Sequence, residues 1–154
     1  MKQLFANKSV IFCLFFLVAF ALDRVVKLVI LDGFRWDSEA ISIILTFNDG
    51  VAFSWFAFLG EWLKWLQLAL IVGAVIYLFW TKLIVPYGAP IGLLLGAGAS
   101  NLLDRFVYGG VVDYVFWHYW FNFAVFNLAD ALIDCAVAWI VWAHWRQTRK
   151  IKAG

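Results

Sequence analysis

The sequence predicts an all-α membrane protein: four transmembrane helices with a small β-hairpin cradle on the outer face. Three observations lead there. Of 154 residues, 66% are hydrophobic and only 14% are charged. Four apolar runs have about the ~20 residues that a helix needs to cross a bilayer. Ten tryptophans and sixteen phenylalanines match the aromatic enrichment found where a bilayer meets water. A chain of this length makes one domain, so residues 1–154 are read as a single integral membrane unit. The net charge of +2 argues against a nucleic-acid partner, since such partners leave a strongly basic footprint.

The first span covers residues 10–31. Residues 1–22 also carry features of a cleavable leader: a positive start, an apolar centre and Ala19-Phe20-Ala21. Against that, apolar character resumes beyond Asp23-Arg24. Asp23 and Lys27 are four apart, so they share a helical face and can pair. The pair is open to two readings, ordinary charges near a helix end or a device that shapes a site. Residues 32–61 are long for a structureless connection. Two β-prone runs, 41–47 and 51–56, flank Asn48-Asp49-Gly50 and predict a hairpin lying on the membrane surface.

The second span, 62–80, has tryptophan at both ends as interface anchors. The third, 85–103, follows Pro86 and Pro90. Its Gly92, Gly96, Gly98 and small neighbours suit close helix packing. Gly109-Gly110 break the chain after it, and a short apolar run around Asp113 follows. The fourth span covers 123–142 and leads into a basic tail. Lys2, Lys8, Lys82 and the tail fall on one side of four spans. The positive-inside bias makes that side the cytoplasm, with both termini there.

Acids within so apolar a chain demand explanation. A carboxylate at membrane depth costs about 2.5–3.5 kcal/mol on insertion scales and marks a functional site by default. Asp113, beyond the third span, and Asp130, in the fourth, come to the same outer surface from separate segments. Two carboxylates in a poorly solvated site resist joint ionisation and share a proton. The ionised member can activate water, and the neutral one can protonate a carbonyl oxygen or a leaving group. The plainer alternative is structural, with Asp130 serving as a capping group beside Asn127. A proton relay through Asp130 and Asp134 in a transporter subunit is a competing class. No serine-centred elbow exists. Cys13 and Cys135 lie in apolar runs, and His118 and His144 are far apart. No metal or cofactor is expected.

Four separated motifs carry a resemblance. They are Phe47-Asn48-Asp49-Gly50-Val51-Ala52-Phe53-Ser54, GAGASNLLDR at 96–105, Val111-Val112-Asp113, and Phe126-Asn127-Leu128-Ala129-Asp130. In this order, with Asp23-x-x-x-Lys27 ahead of them, they resemble signal peptidase II, the bacterial lipoprotein signal peptidase. The resemblance implies an aspartic endopeptidase of the inner membrane, active near the outer face. Its substrate would be a prolipoprotein whose cysteine carries diacylglyceryl, and the cut would fall just before that cysteine. By motif position Asp113 and Asp130 match the catalytic pair. Asn48, Gly50, Asn101, Arg105 and Asn127 match residues that line or support the site, and Asp23 and Lys27 match a pair that orders its surroundings. Membrane lipids are the remaining partner, and a monomer is expected. The chain departs from the family pattern at Ser100, where glycine is usual.

Overall fold

The computed structural model describes residues 2–50 and 59–153. Four long helices carry the fold: α1 (Lys2–Leu31), α2 (Trp62–Trp80), α3 (Ile84–Tyr108) and α4 (Leu128–Ala153). Three strands, β1 (Trp36–Asp37), β2 (Ile41–Asn48) and β3 (Val111–Trp117), form one antiparallel sheet in that order. Among the described residues, α1, α2 and α4 are long and apolar enough to cross a membrane. The 25-residue α3 matches the expected third span in place, but glycines, prolines and the polar group at 101–105 dilute its apolar character.

α3 is the centre of the bundle, and its largest interface is with α1. The glycine stripe explains why. A Cβ added to Gly92 would lie 2.4 Å from the carbonyl oxygen of Phe12, and one on Gly96 would lie 2.2 Å from that of Phe16. At Gly88 the corresponding distance is 3.0 Å, to Lys8. Each contact advances four residues on both helices, so α1 and α3 run parallel with their backbones touching, as small residues permit. Gly98 lies off this seam, with only Ile71 within 3.9 Å of an added Cβ. The tryptophans that bound α2 are both exposed, as interface anchors should be.

Only the first run of the expected hairpin falls among the described residues. That run is β2, and its partners are β1 and β3; the second run, 51–56, lies outside the described residues. The register of β2 against β3 shifts by one residue between Ile43 and Thr46, which is a β-bulge. Before the shift Ile43 faces Val115; after it Thr46 faces Asp113 and Asn48 faces Val111. Without the extra residue, Asn48 would point to the face opposite Asp113, because side chains alternate along a strand.

The fourth span also begins later than expected, at Leu128 rather than 123. Residues 123–126 are tied to β3 instead: Phe123 N–H donates to Trp117 (3.0 Å), and Phe126 and Val115 exchange both backbone bonds (3.1 and 2.8 Å). Asp130 therefore stands in the first turn of α4, not two turns inside. At the other junction Gly109, with φ of 79°, ends α3. That left-handed geometry suits glycine at a helix C-terminus, and the chain passes straight into β3.

Gly96→Val should lower the unfolding free energy in detergent by about 2 kcal/mol or more, because the new side chain must push α1 away. Gly98→Ala should shift it by less than about 0.5 kcal/mol. Thermal unfolding of the two variants distinguishes them.

Candidate active site

The C-terminal half of α1, the C-terminal end of α3, the N-terminus of α4 and the start of β3 converge at one end of the bundle. There the fold buries Asp23, Lys27, Ser100, Asn101, Asp104, Arg105, Asp113 and Asn127. Burying so many polar groups is tolerable only if they satisfy one another. Among the described residues, every buried side-chain nitrogen and oxygen has a partner.

Lys27 is the hub. Fully buried, its Nζ lies 2.8 Å from Asp23, 2.6 Å from Asp104 and 2.6 Å from Asn101 Oδ1. Asp104 also accepts from Arg24 and from the backbone N–H of Val112 (3.2 Å). Asp23 accepts from Ser100 Oγ (2.6 Å) and from the Ala129 N–H (2.9 Å) in the first turn of α4. Two cations thus meet two carboxylates, and the network ties α1 to α3, β3 and α4. The Asp23–Lys27 pair expected on one face of α1 does form, but it faces inward rather than towards an interface. Ser100 bonds across the helix seam.

Asp113 and Asp130 are held differently. Asp113 Oδ1 accepts from Asn127 Nδ2 (2.7 Å), and Oδ2 accepts from Asn48 Nδ2 (3.0 Å). Asp130 Oδ1 accepts from Asn101 Nδ2 (2.9 Å), and Oδ2 accepts from the Asn127 N–H (3.2 Å). Neither makes an ion pair with a described residue. All four donors are neutral amides, which can serve a carboxyl in either protonation state.

Asn127 connects the two acids. Its Oδ1 accepts the N–H of Asp130 (2.9 Å) while Asp130 accepts its backbone N–H. This reciprocal cap starts α4 in the manner of a capping box. With Oδ1 committed to the cap, Nδ2 must face Asp113. The same Nδ2 lies within bonding distance of Asn101 Oδ1 (3.1 Å) and the Val112 carbonyl (3.3 Å). Asn101 Oδ1 takes donors from both Lys27 and Asn127, so its Nδ2 is left to point at Asp130.

Burial pushes the Asp113 carboxyl up to about 6; the Asp130 charge adds to this, while bonds from Asn48 and Asn127 and the Lys27 charge oppose it. Tyr114, on the next position of β3, is pushed up to about 12, chiefly by burial. It therefore stays a neutral phenol and accepts the Leu128 N–H (2.9 Å) at the start of α4.

Arg105 points to a different side of the site. It donates to the carbonyls of Asp49 (3.3 Å) and Gly50, and its Nε donates to Gln67 (3.1 Å). The Gly50 N–H in turn donates to Asn48 Oδ1 (3.0 Å). The structure thus brings together Asp23, Lys27, Asn48, Gly50, Asn101, Arg105, Asp113, Asn127 and Asp130. Asp134, one turn along α4, is exposed and outside the network. Sequence reasoning did not assign site roles to Arg24, Asp104, Ser100 or Gln67. The available signals were a charge within an apolar helix for the first two, and a lone amide in α2 for the last. Among the described residues, no group of three or more His, Cys, Asp or Glu side chains could hold a metal ion.

Fold and site together define a helical membrane protein with four carboxyl groups gathered at one end of its bundle, Asp23, Asp104 and Asp113 buried and Asp130 half-buried. Two solved structures of bacterial membrane enzymes share this fold. One superposes with a TM-score of 0.70 at 22% identity, over 92% of this chain and 90% of its own. The other gives 0.66 at 20% identity, over 89% and 92%. The family model for signal peptidase II matches residues 15–146. The lipoprotein signal peptidase of Wolinella succinogenes is 55% identical over 128 residues, covering 82% of this chain and 88% of that protein. Its counterpart in Campylobacter jejuni is 54% identical over 136 residues, with 88% and 87% covered. The chain belongs to the signal peptidase II family of membrane peptidases.

Replacing Lys27 by Met should leave the buried Asp23 without a cation and Asp104 with Arg24 alone, at a cost of about 3–5 kcal/mol. Denaturant unfolding in mixed micelles measures this; a change under ~1 kcal/mol would mean that the hub carries little of the fold.

Proposed function

We propose that this chain is an aspartic endopeptidase that removes signal peptides from diacylglyceryl-modified prolipoproteins, cutting before the lipidated cysteine. Family membership and the lipoprotein signal peptidases among its relatives support the substrate class. One observation carries the chemistry. In a site crowded with acids, only Asp113 and Asp130 are held by neutral amides without an ion pair. Asp23 and Asp104 each face a cation. The other two are free to trade a proton.

On this reading the ionised member of the pair takes a proton from water as the water oxygen attacks the scissile carbonyl carbon. The neutral member donates its proton to the carbonyl oxygen. Collapse of the tetrahedral intermediate breaks the C–N bond, and a carboxyl proton goes to the leaving amine. The pair titrates jointly, in steps that belong to both acids. Asn48, Asn101 and Asn127 aim the carboxyls, and Asp23 and Lys27 keep the frame in place. Arg105 and Gly50 fix the turn beside Asn48.

The membrane arrangement follows the same reading. α3 is the third of four spans, shielded by its neighbours, so its diluted apolar character is tolerated. The basic residues place both termini in the cytoplasm and the site near the outer face of the bacterial inner membrane. The exposed apolar faces of α1, α2 and α4 meet lipid around a single-domain monomer.

Asp113→Asn and Asp130→Asn should each keep a wild-type melting transition and lose about 10²–10⁴-fold in turnover. The assay is cleavage of a lipidated prolipoprotein, and wild-type turnover in either variant rules the pair out. The raised Asp113 carboxyl has a further consequence. Its contribution to stability is full below the ordinary value of 3.8 and falls as pH rises through about 6. The wild-type melting temperature should decline over that interval more than that of Asp113→Asn. Parallel curves would contradict the assignment.

A further inference from the structure

Gln67 is the only polar side chain between Trp65 and Val75, in a helix otherwise made to face lipid and the apolar core. An amide at that depth needs partners for both its donor and its acceptor. Its Nε2 donates to the Gly98 carbonyl on α3 (3.1 Å). That contact settles the orientation of the amide and turns Oε1 towards α3, where it accepts Arg105 Nε–H (3.1 Å).

With Nε taken by Gln67, the outer nitrogens of Arg105 are left for the carbonyls of Asp49 and Gly50. Those carbonyls belong to the turn that leaves Asn48. Asn48 is clasped by the Gly50 N–H on its Oδ1 and gives its Nδ2 to Asp113 Oδ2. An unbroken series of bonds therefore runs from a lone glutamine in α2 to one carboxyl of the proposed pair. A guanidinium needs such a seat because its planar fork binds only in the directions its plane allows.

We infer that Gln67 is a positioning residue for the proteolytic site: it orients Arg105, which holds the Asn48-Asp49-Gly50 turn against Asp113. The inference rests on the reading of Asp113 as half of the catalytic pair. Gln67 touches neither carboxyl and acts through Arg105 alone. The bond to Gly98 sets its angle, and the bond to Arg105 transmits it.

The two bonds can be separated by substitution. Gln67→Leu removes both. Gln67→Glu keeps an acceptor for Arg105, while an ionised carboxylate cannot donate to Gly98. Cleavage of a lipidated prolipoprotein by the purified chain, with a melting curve for each variant, tests the idea. Gln67→Leu should lose about tenfold in kcat with KM changed less than about threefold, as expected when catalytic geometry rather than binding is disturbed. Gln67→Glu should stay within about threefold of wild type in both. If Gln67→Leu fails to fold, Gln67→Met, with its unbranched stem, takes its place. Wild-type kcat in the apolar variant overturns the proposal, as does equal loss in Gln67→Glu, which would make the residue a simple α2–α3 tie. Asp113→Asn run alongside keeps the readings apart. If it is active, the catalytic pair is wrong; if it is inactive while Gln67→Leu is wild type, only the positioning role fails.

Discussion

A single ammonium group, that of Lys27, is sealed inside an apolar bundle, and the arrangement of the site depends on how it is neutralised. Two carboxylates and an amide oxygen surround it. Removing one partner of such a set leaves a bare charge in a low-dielectric interior, which is why these groups stand or fall together. Because Lys27 occupies Asn101 Oδ1, the other end of that amide is directed at Asp130. Because it neutralises Asp104 together with Arg24, the same carboxylate can also receive the N–H of Val112, one residue before Asp113. Asp130 is thus placed at one remove from this cation and Asp113 at two.

The acids of this chain fall into two classes by their partners. Asp23 and Asp104 are matched with cations. Asp113 and Asp130 receive only amide hydrogens, which favour the ionised carboxylate less than a directly facing cation does. Four carboxyls packed in one place acquire different roles from the donors they meet. Tuning by partner identity in this way is how one site holds acids of unlike protonation behaviour.

That network can be buried only because α1 and α3 come unusually close. Gly88, Gly92 and Gly96 let the backbones touch, and the same four-residue advance continues to Arg24 and Asp104. Close approach also lets the short hydroxyl of Ser100 reach Asp23 on α1. On the sheet side, the bulge in β2 turns Asn48 to the face of Asp113, and the Asn127 cap turns its amide the same way. Helix packing, strand register and capping each contribute one donor direction.

The helical architecture was legible in the sequence because burial in lipid demands long apolar runs, and such runs are local. Nine residues were legible as candidates, through the motifs that carry them. Three things were not. The partners of β2 are one: Asn48-Asp49-Gly50 has the chemistry of a tight turn, and nothing local announces that β2 pairs with β1 and with β3, some 65 residues further on. The start of the fourth helix was read too early, because 123–126 is apolar enough for a span and only its bonds to β3 stop it from coiling. Arg24, Asp104 and Gln67 gained their roles chiefly from residues 31 to 80 positions away. Apolar periodicity and turn chemistry are properties of neighbours along the chain, so the sequence alone determined which segments are helices and which acids are out of place. Which acid meets a cation and which meets an amide is decided by the contacts of distant segments, and only the folded bundle specifies those.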